Sequence, residues 1–497
     1  MEPIGRGASP RDRVVAIDQG TTATKAFALN RQGDFEAIAK LSHRQILPRS
    51  GWVEHDPEEL LGNLQRCLKR SGPGLAVGLD NQGETVVAWD ARTGRPVYNA
   101  IVWQDTRTKA MIEQLRSTGA EAETKARAGL PLDSYFSAAK LRWILDNVAE
   151  AKVLAREKRL RLGTSDAYFL DRLVGHYATD VSTAARTSLM NLDTLEWDAT
   201  LCELFGIPGE LLPEIRPTTG EFGEVAIEGG TAPITASVVD QTAALFGHRC
   251  FEPGRAKITF GTGAFALSVT GTARADVAES GLLPVVAWKL GNAPAIYAID
   301  GGVYSAGSAV DWARSMGLFG GFEEIDSFQA PSAISRGLAF VPALSGLACP
   351  YWDREAAGLF IGMGLETTQW DLCQSVLEGI ALRAAQVIAA MADLSGIGPE
   401  VSIDGGLSLN LYFRRFLADA LDRRVVVPST PEATSLGTAW LAMLGAGLVA
   451  SLDELPSRDA NAVIEKPQEP VTPGQHACFA EAVARARGWR RDLRPSL

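Results

Sequence analysis

The sequence predicts an α/β protein built from two similar halves, on three observations. Its 497 residues are enough for two domains with sizeable cores. Short apolar runs readable as strands alternate with helical periodicity in both halves. One signature, an apolar run ending in a tight turn of Gly and Thr, occurs twice. The first copy is Val14-Val15-Ala16-Ile17-Asp18-Gln19-Gly20-Thr21-Thr22 and the second is Ala256-Lys257-Ile258-Thr259-Phe260-Gly261-Thr262-Gly263.

Residues 14–17, 25–29 and 35–41 read as a three-strand meander, with Gln32-Gly33 as its second turn. A helix follows over 57–70, because Asp56 can cap it, Pro57 suits its first position and acids fill its first turn. A buried strand at 75–79 comes next. Ser237-Val238-Val239-Asp240-Gln241 reads as a strand that ends in an acid and opens a helix. In the second half, strands at 256–260, 264–270 and 296–299 precede a helix starting near Ser305. Over 371–395, Leu372, Val376, Ile380, Ala384, Val387 and Met391 recur every three or four residues, and Gly396 ends the helix. Residues 453–475 read as a surface connector and 476–490 as a last helix. The domain boundary is expected at Pro253-Gly254. This gives a flexible tail at 1–13, an acceptor- and phosphate-binding domain at 14–253 and a nucleotide-binding domain at 254–497.

The net charge of −11 argues against nucleic acid or an anionic membrane as the main partner. The most basic stretch, 156–161, reads as a solvated helix face. No apolar run of membrane-spanning length is expected, and the polar start carries no secretory signal. Six scattered cysteines read as free cytosolic thiols, and five scattered histidines make no zinc pattern.

A Gly/Thr turn after a strand offers backbone N–H groups and hydroxyls to an anion, and glycine lets the backbone approach a phosphate closely. Two such turns facing each other would clamp a nucleoside triphosphate. A third turn, Ile403-Asp404-Gly405-Gly406, falls where an adenosine seat is needed.

Four longer motifs support a family resemblance. Asp18-Gln19-Gly20-Thr21-Thr22, Gly51-Trp52-Val53-Glu54-His55-Asp56-Pro57, Tyr135 to Trp143, and Gly358 to Glu378 together resemble the FGGY carbohydrate kinases, most closely the glycerol kinases. The resemblance spans about residues 14–450. It implies two actin-like ATPase (ribonuclease H-like) domains around a deep interdomain cleft that closes on substrate. It also implies ATP-dependent, Mg²⁺-requiring phosphorylation of a small polyol at a terminal hydroxyl, glycerol first, by a cytoplasmic homo-oligomer (dimer or tetramer).

Residue by residue, the resemblance makes Asp240 the general base that an alcohol nucleophile needs. Asp18 becomes the acid near the Mg²⁺-bound phosphates, acting directly or through water. Gly20, Thr21, Thr22, Lys25, Gly261, Thr262, Gly307, Asp311, Gly406 and Asn410 surround the nucleotide. The acceptor pocket is Glu84, Trp103, Tyr135, Asp240, Gln241 and Phe265, with Gly83 beside them. A plain N-cap role for Asp240 is the structural alternative. Lys25 and Asp311 depart from the residues usual in the family. Gly83 departs further, standing where a substrate-binding Arg is expected. Loss of one charged hydrogen bond is worth roughly 1.5–3 kcal/mol. Glycerol binds weakly, another residue fills the role, or the acceptor is a longer polyol or sugar of four or five carbons. A side-chain-sized gap at 83 would make Gly83→Arg favour glycerol over longer acceptors. A nucleotide-binding protein of the same fold without kinase activity would have no need of Asp240, Trp103 and Tyr135.

Overall fold

The computed structural model describes residues 13–277, 280–456 and 461–490. The expected tail therefore lies outside the described residues, apart from Arg13, which opens the first strand.

Two sheets carry the same strand order. In the first, Arg13–Gln19, Ala23–Asn30 and Phe35–Ser42 form the expected antiparallel meander. Ala76–Asn81 joins the free side of Arg13–Gln19 in parallel, Gly230–Val239 follows in parallel, and Thr219–Ile227 closes the edge. In the second sheet, Ala256–Phe260, Ala264–Gly271 and Ile296–Val303 make the meander. Glu400–Gly405 and Arg424–Val427 extend it in parallel, and Leu283–Trp288 and Val463–Glu465 are the edges. This duplication bears out the predicted class, α/β with two actin-like ATPase sheets.

Alternation along Arg13–Gln19 explains the layers. Val15 and Ile17 face the helix Pro57–Arg70, while Val14 and Ala16 face the helix Ala433–Gly445. Pro57–Arg70 begins as expected, with Asp56 accepting from the Glu58 amide at 2.9 Å. Ala433–Gly445 follows the second sheet's parallel strands in sequence yet packs on the first sheet, so the chain crosses back. The helix Gln369–Ser395 fills the second core, capped by Thr368. It is long and apolar enough to cross a membrane, contrary to the expectation that no such run exists, and 78% of its apolar stretch is buried.

Two local readings change. The 156–161 stretch is not one helix face: the helix ends at Arg156, and the strand Leu160–Thr164 follows. There Arg159 pairs with Asp90 and Arg161 with Asp171. The 453–475 connector contributes the edge strand Val463–Glu465, because Val425 to Val427 leave a free edge that it covers.

Between the sheets, the helices Asp240–Gly247 and Ala433–Gly445 cross at glycines. A Cβ on Gly437 would lie 1.9 Å from the Ala243 carbonyl oxygen, and one on Gly247 1.9 Å from that of Ala433. Backbone against backbone cannot yield as a flexible side chain can. Gly437→Val is expected to lower Tm by several degrees in calorimetry, since overpacking costs about 1–3 kcal/mol and each kcal/mol shifts Tm by about 2–4 °C in units of this size. Gly209→Val, at a glycine with open space around its Cβ, is the control. Equal Tm values for the two variants would contradict the close crossing.

Candidate active site

Three carboxylates emerge from the ends of three adjacent parallel strands. Asp18 is in register with Asp80, and Asp80 with Val238, two residues before Asp240. A crevice at the carboxyl ends of parallel strands is where open α/β sheets bind ligands. Burial raises all three. Asp18 is raised by burial and then by Glu432, against Lys25. Asp80 is pushed well up by burial and then by the Asp18 charge. Asp240 is pushed up to about 7, by burial and then by Glu84 and Asp18. Asp80 Oδ2 accepts from Thr438 at 2.7 Å, while its Oδ1 is buried without a partner. Lys25 Nζ lies 2.6 Å from Glu432 and 3.5 Å from Asp18 Oδ2.

Asp240 is the first residue of its helix, and Val239 is the cap. Its Oδ1 accepts only the adjacent Gln241 amide, at 2.7 Å. That is not the contact of a capping side chain, which reaches the second or third amide. The half-buried carboxylate therefore faces the cleft. Gln241 is held in turn by Lys257, whose Nζ donates to its Oε1 at 2.7 Å and to Thr259 Oγ1 at 2.8 Å. Burial lowers the Lys257 ammonium.

A cavity of about 180 Å³ joins Asp240 and Gln241 to Glu84, Trp103, Tyr135 and Phe265. The Trp103 ring stands edge-on to Tyr135 at 5.8 Å and to Phe265 at 6.4 Å, making an aromatic box. Glu84 has φ +56°, and Thr85 donates to the Gly83 carbonyl at 2.7 Å across it. This is a strained γ-turn at a non-glycine residue. Ser137 Oγ and Lys140 Nζ hold it by donating to the Glu84 carbonyl, each at 3.2 Å. Gly83 lines the same cavity, and a Cβ there would come within 2.9 Å of Val239 Cγ2, so a side chain at 83 would have to displace Val239.

Thr21, Gly261 and Thr262 line the cavity from the two Gly/Thr turns. Thr21 Oγ1 accepts from Trp103 Nε1 at 3.1 Å, which ties the first turn to the aromatic box. Thr22 and Thr262 are exposed in the cleft, and Gly20 donates to the Ala23 carbonyl at 3.1 Å. The second turn rests on the start of the helix Gly307–Ser315: Gly307 donates to the Gly261 carbonyl at 3.0 Å, and a Cβ there would meet that oxygen at 2.5 Å. Asp311 is exposed on this helix. Gly405, with φ +86°, is the glycine the third turn requires, since a Cβ would meet the Phe260 carbonyl at 2.2 Å, whereas the space around Gly406 is open. Asn410 caps the helix Leu411–Leu421, accepting from Phe413 at 2.7 Å and donating to Ile325 at 2.9 Å, so its amide is committed to the fold. Gly307, Asp311, Gly406 and Asn410 do not line the acceptor cavity.

Sequence reading missed Arg186, Asp300, Asp80 and Lys257. Asp80 and Asp300 carry the signal that flagged Asp18, an acid directly after an apolar run. Arg186 has no local signal, since it follows a short helix in a Thr/Ala-rich stretch. Among the described residues no group of three His, Cys, Asp or Glu side chains forms a ready-made metal site. Trp103, Tyr135, Arg186 and Phe265 also line a second cavity of about 500 Å³.

Models of the FGGY family of carbohydrate kinases match this chain, the N-terminal domain over residues 13–247 and the C-terminal domain over 256–446. Glycerol kinase from Thermus brockianus is 40% identical, covering 96% of this chain and 99% of its own. Glycerol kinase from Saccharopolyspora erythraea is 39% identical with the same coverage. Among solved structures, Plasmodium falciparum glycerol kinase with ADP superposes with a TM-score of 0.87 at 30% identity, over 95% of this chain and 98% of that one. Ligand-bound xylulose kinase from Lactobacillus acidophilus shares the fold, with a TM-score of 0.82 at 22% identity over 97% and 99%. With both domain models matched in order and relatives similar over nearly the whole length, the chain belongs to the FGGY family of carbohydrate kinases, phosphotransferases that act on an alcohol acceptor.

Proposed function

We propose that this kinase transfers the γ-phosphoryl group of ATP to a terminal hydroxyl of glycerol. One observation carries the reading: a single small cavity joins a cleft-facing carboxylate, an aromatic box and both Gly/Thr turns. Asp240 is the general base in this reading. It takes the proton of the terminal hydroxyl as that oxygen forms its bond to the γ-phosphorus, the bond from phosphorus to the β–γ bridging oxygen breaks, and ADP leaves. Glu84 and Gln241 hold hydroxyls, while Trp103, Tyr135 and Phe265 pack the carbon chain. Gly20, Thr21, Thr22, Gly261 and Thr262 cradle phosphate oxygens, and Lys25 adds charge. Gly307, Asp311, Gly406 and Asn410 shape the nucleotide side, Gly307 and Asn410 by supporting backbone.

Asp18 and the unpartnered Asp80 oxygen suit Mg²⁺, a hard cation held by one or two carboxylates together with substrate phosphates. When bound, such an ion would supply charge neutralisation on the phosphates, and Asp18 and Asp80 would be the side chains to hold it. We include in the proposal two domains divided near Pro253-Gly254, with Ala433–Gly445 as a shared element. Six free thiols suit a cytoplasmic setting, and the family resemblance supports a homo-oligomer. A second reading, a four- or five-carbon polyol or sugar, is favoured by the 500 Å³ cavity that shares Trp103, Tyr135 and Phe265 with the smaller one. An ATP-consumption screen over acceptors of three to six carbons separates the two. Glycerol is expected to give the highest kcat/KM, and a longer acceptor in first place would replace glycerol in the proposal.

Asp240→Asn is expected to keep ATP binding and lower kcat by roughly 10²–10⁴. The base must be ionised, so wild-type kcat/KM should fall as pH drops below about 7. The same shift affects stability with a defined sign. The unfolded carboxyl ionises near pH ~3.9 and the folded one near 7, so the unfolded chain releases the proton first and stability declines across that window. Asp240→Asn should therefore raise Tm at pH 8 and leave it unchanged at pH 4. Near wild-type turnover in this variant rules out the base.

Closure is expected when both substrates bind, because a nucleotide held by turns on two separate sheets would bridge them. Small-angle scattering should show a smaller radius of gyration with glycerol plus a non-hydrolysable ATP analogue. An unchanged radius counts against closure.

A further inference from the structure

The acceptor cavity contains a guanidinium despite the glycine at 83. Arg186, just after the helix Val181–Ala184, is buried, and its Nε donates to Glu84 Oε1 at 2.5 Å. Its Nη1 donates to Asp300 Oδ2 at 3.0 Å. Against the cost of burial, Glu84 and Asp300 raise its already high pKa. The Tyr135 ring lies 5.7 Å from the guanidinium carbon. Two ion pairs at two corners fix a planar fork in place. The third corner, Nη2, makes no hydrogen bond to the described residues, and Arg186 lines the cavity that holds Asp240.

We infer that Arg186 replaces the arginine missing at position 83, with Nη2 donating to the acceptor hydroxyl farthest from the one phosphorylated. This rests on the acceptor reading above and adds a selection rule. The preferred substrate carries a free hydroxyl at the carbon distal to the transfer site. It is also uncharged, since Glu84 and Asp300 outnumber the single guanidinium and repel an acidic acceptor. Arginine at 83 then gains nothing. Its Cβ would crowd Val239, next to Asp240, so Gly83→Arg is expected to gain little for glycerol.

The test is a functional-group cycle. The values of kcat/KM for glycerol and for propane-1,2-diol, which lacks one terminal hydroxyl, are measured for wild type and for Arg186→Lys. Lysine keeps the charge that Glu84 and Asp300 need while losing the fork. Wild type is expected to prefer glycerol by about 10–100-fold, the value of one charge-assisted hydrogen bond, and the variant by only a few-fold. A preference unchanged in Arg186→Lys overturns the inference. Should that variant fail to fold, Asp300→Asn loosens the same fork. It should raise KM for glycerol and not for propane-1,2-diol, and a parallel rise in both overturns the inference equally. Wild type inactive on glycerol but active on a longer polyol would refute the glycerol reading alone. The cycle then runs on that polyol and its terminal deoxy analogue, with the same two outcomes.

Discussion

The structure depends on how carboxylates are kept at the ends of buried strands. Asp18, Asp80 and Asp240 leave the first sheet at neighbouring positions, while Asp300 and Asp404 sit on two separated strands of the second. Burying charge is costly unless it is paired. Each has its own compensation: Lys25 beside Asp18, Thr438 on Asp80, Arg186 on Asp300 and His248 near Asp404. Asp240 accepts a single amide, with Lys257 acting on it from farther away, and burial raises it to about 7. An acid poised there ionises near neutral pH, which suits proton abstraction from an alcohol.

Several of these compensations come from the other half of the chain. Glu432 holds Lys25, Ser435 lies 3.4 Å from Asp18, and Thr438 bonds Asp80, all on or just before the helix that crosses back to the first sheet. Arg354 pairs with Asp133 at 3.2 Å at the cleft mouth, and Arg186 ties Glu84 to Asp300 within it. Asp18 and Asp80 are thus compensated by the helix packed on their own sheet, whereas the Arg186–Asp300 and Arg354–Asp133 pairs join the two halves of the chain.

Much of this was legible in the sequence. The duplicated strand-turn signature fixed the class because its cause is local: alternating apolar residues followed by Gly and Thr. The Asp56 helix start was legible for the same reason, whereas the Thr368 cap starts its helix ahead of the expected 371. The aromatic box and Asp240 came from family motifs, since nothing local brings Trp103 and Phe265, 162 positions apart in sequence, against one cavity. The strand at Val463–Glu465 escaped because only an exposed edge elsewhere makes that polar segment extended. Arg186 escaped for a related reason. Its role arises from two partners, Glu84 and Asp300, that converge in space and leave no spacing to read. Gly83 looked like a gap from sequence, whereas in the fold Val239 Cγ2 stands 2.9 Å from where its Cβ would be.

The most direct test is a crystal structure with glycerol and a non-hydrolysable ATP analogue bound. The account expects a terminal hydroxyl about 2.6–3.2 Å from an Asp240 carboxylate oxygen and facing the γ-phosphorus, with the opposite hydroxyl on Arg186 Nη2. Glycerol seated away from Asp240, or with its reacting hydroxyl turned from the phosphate, would contradict it.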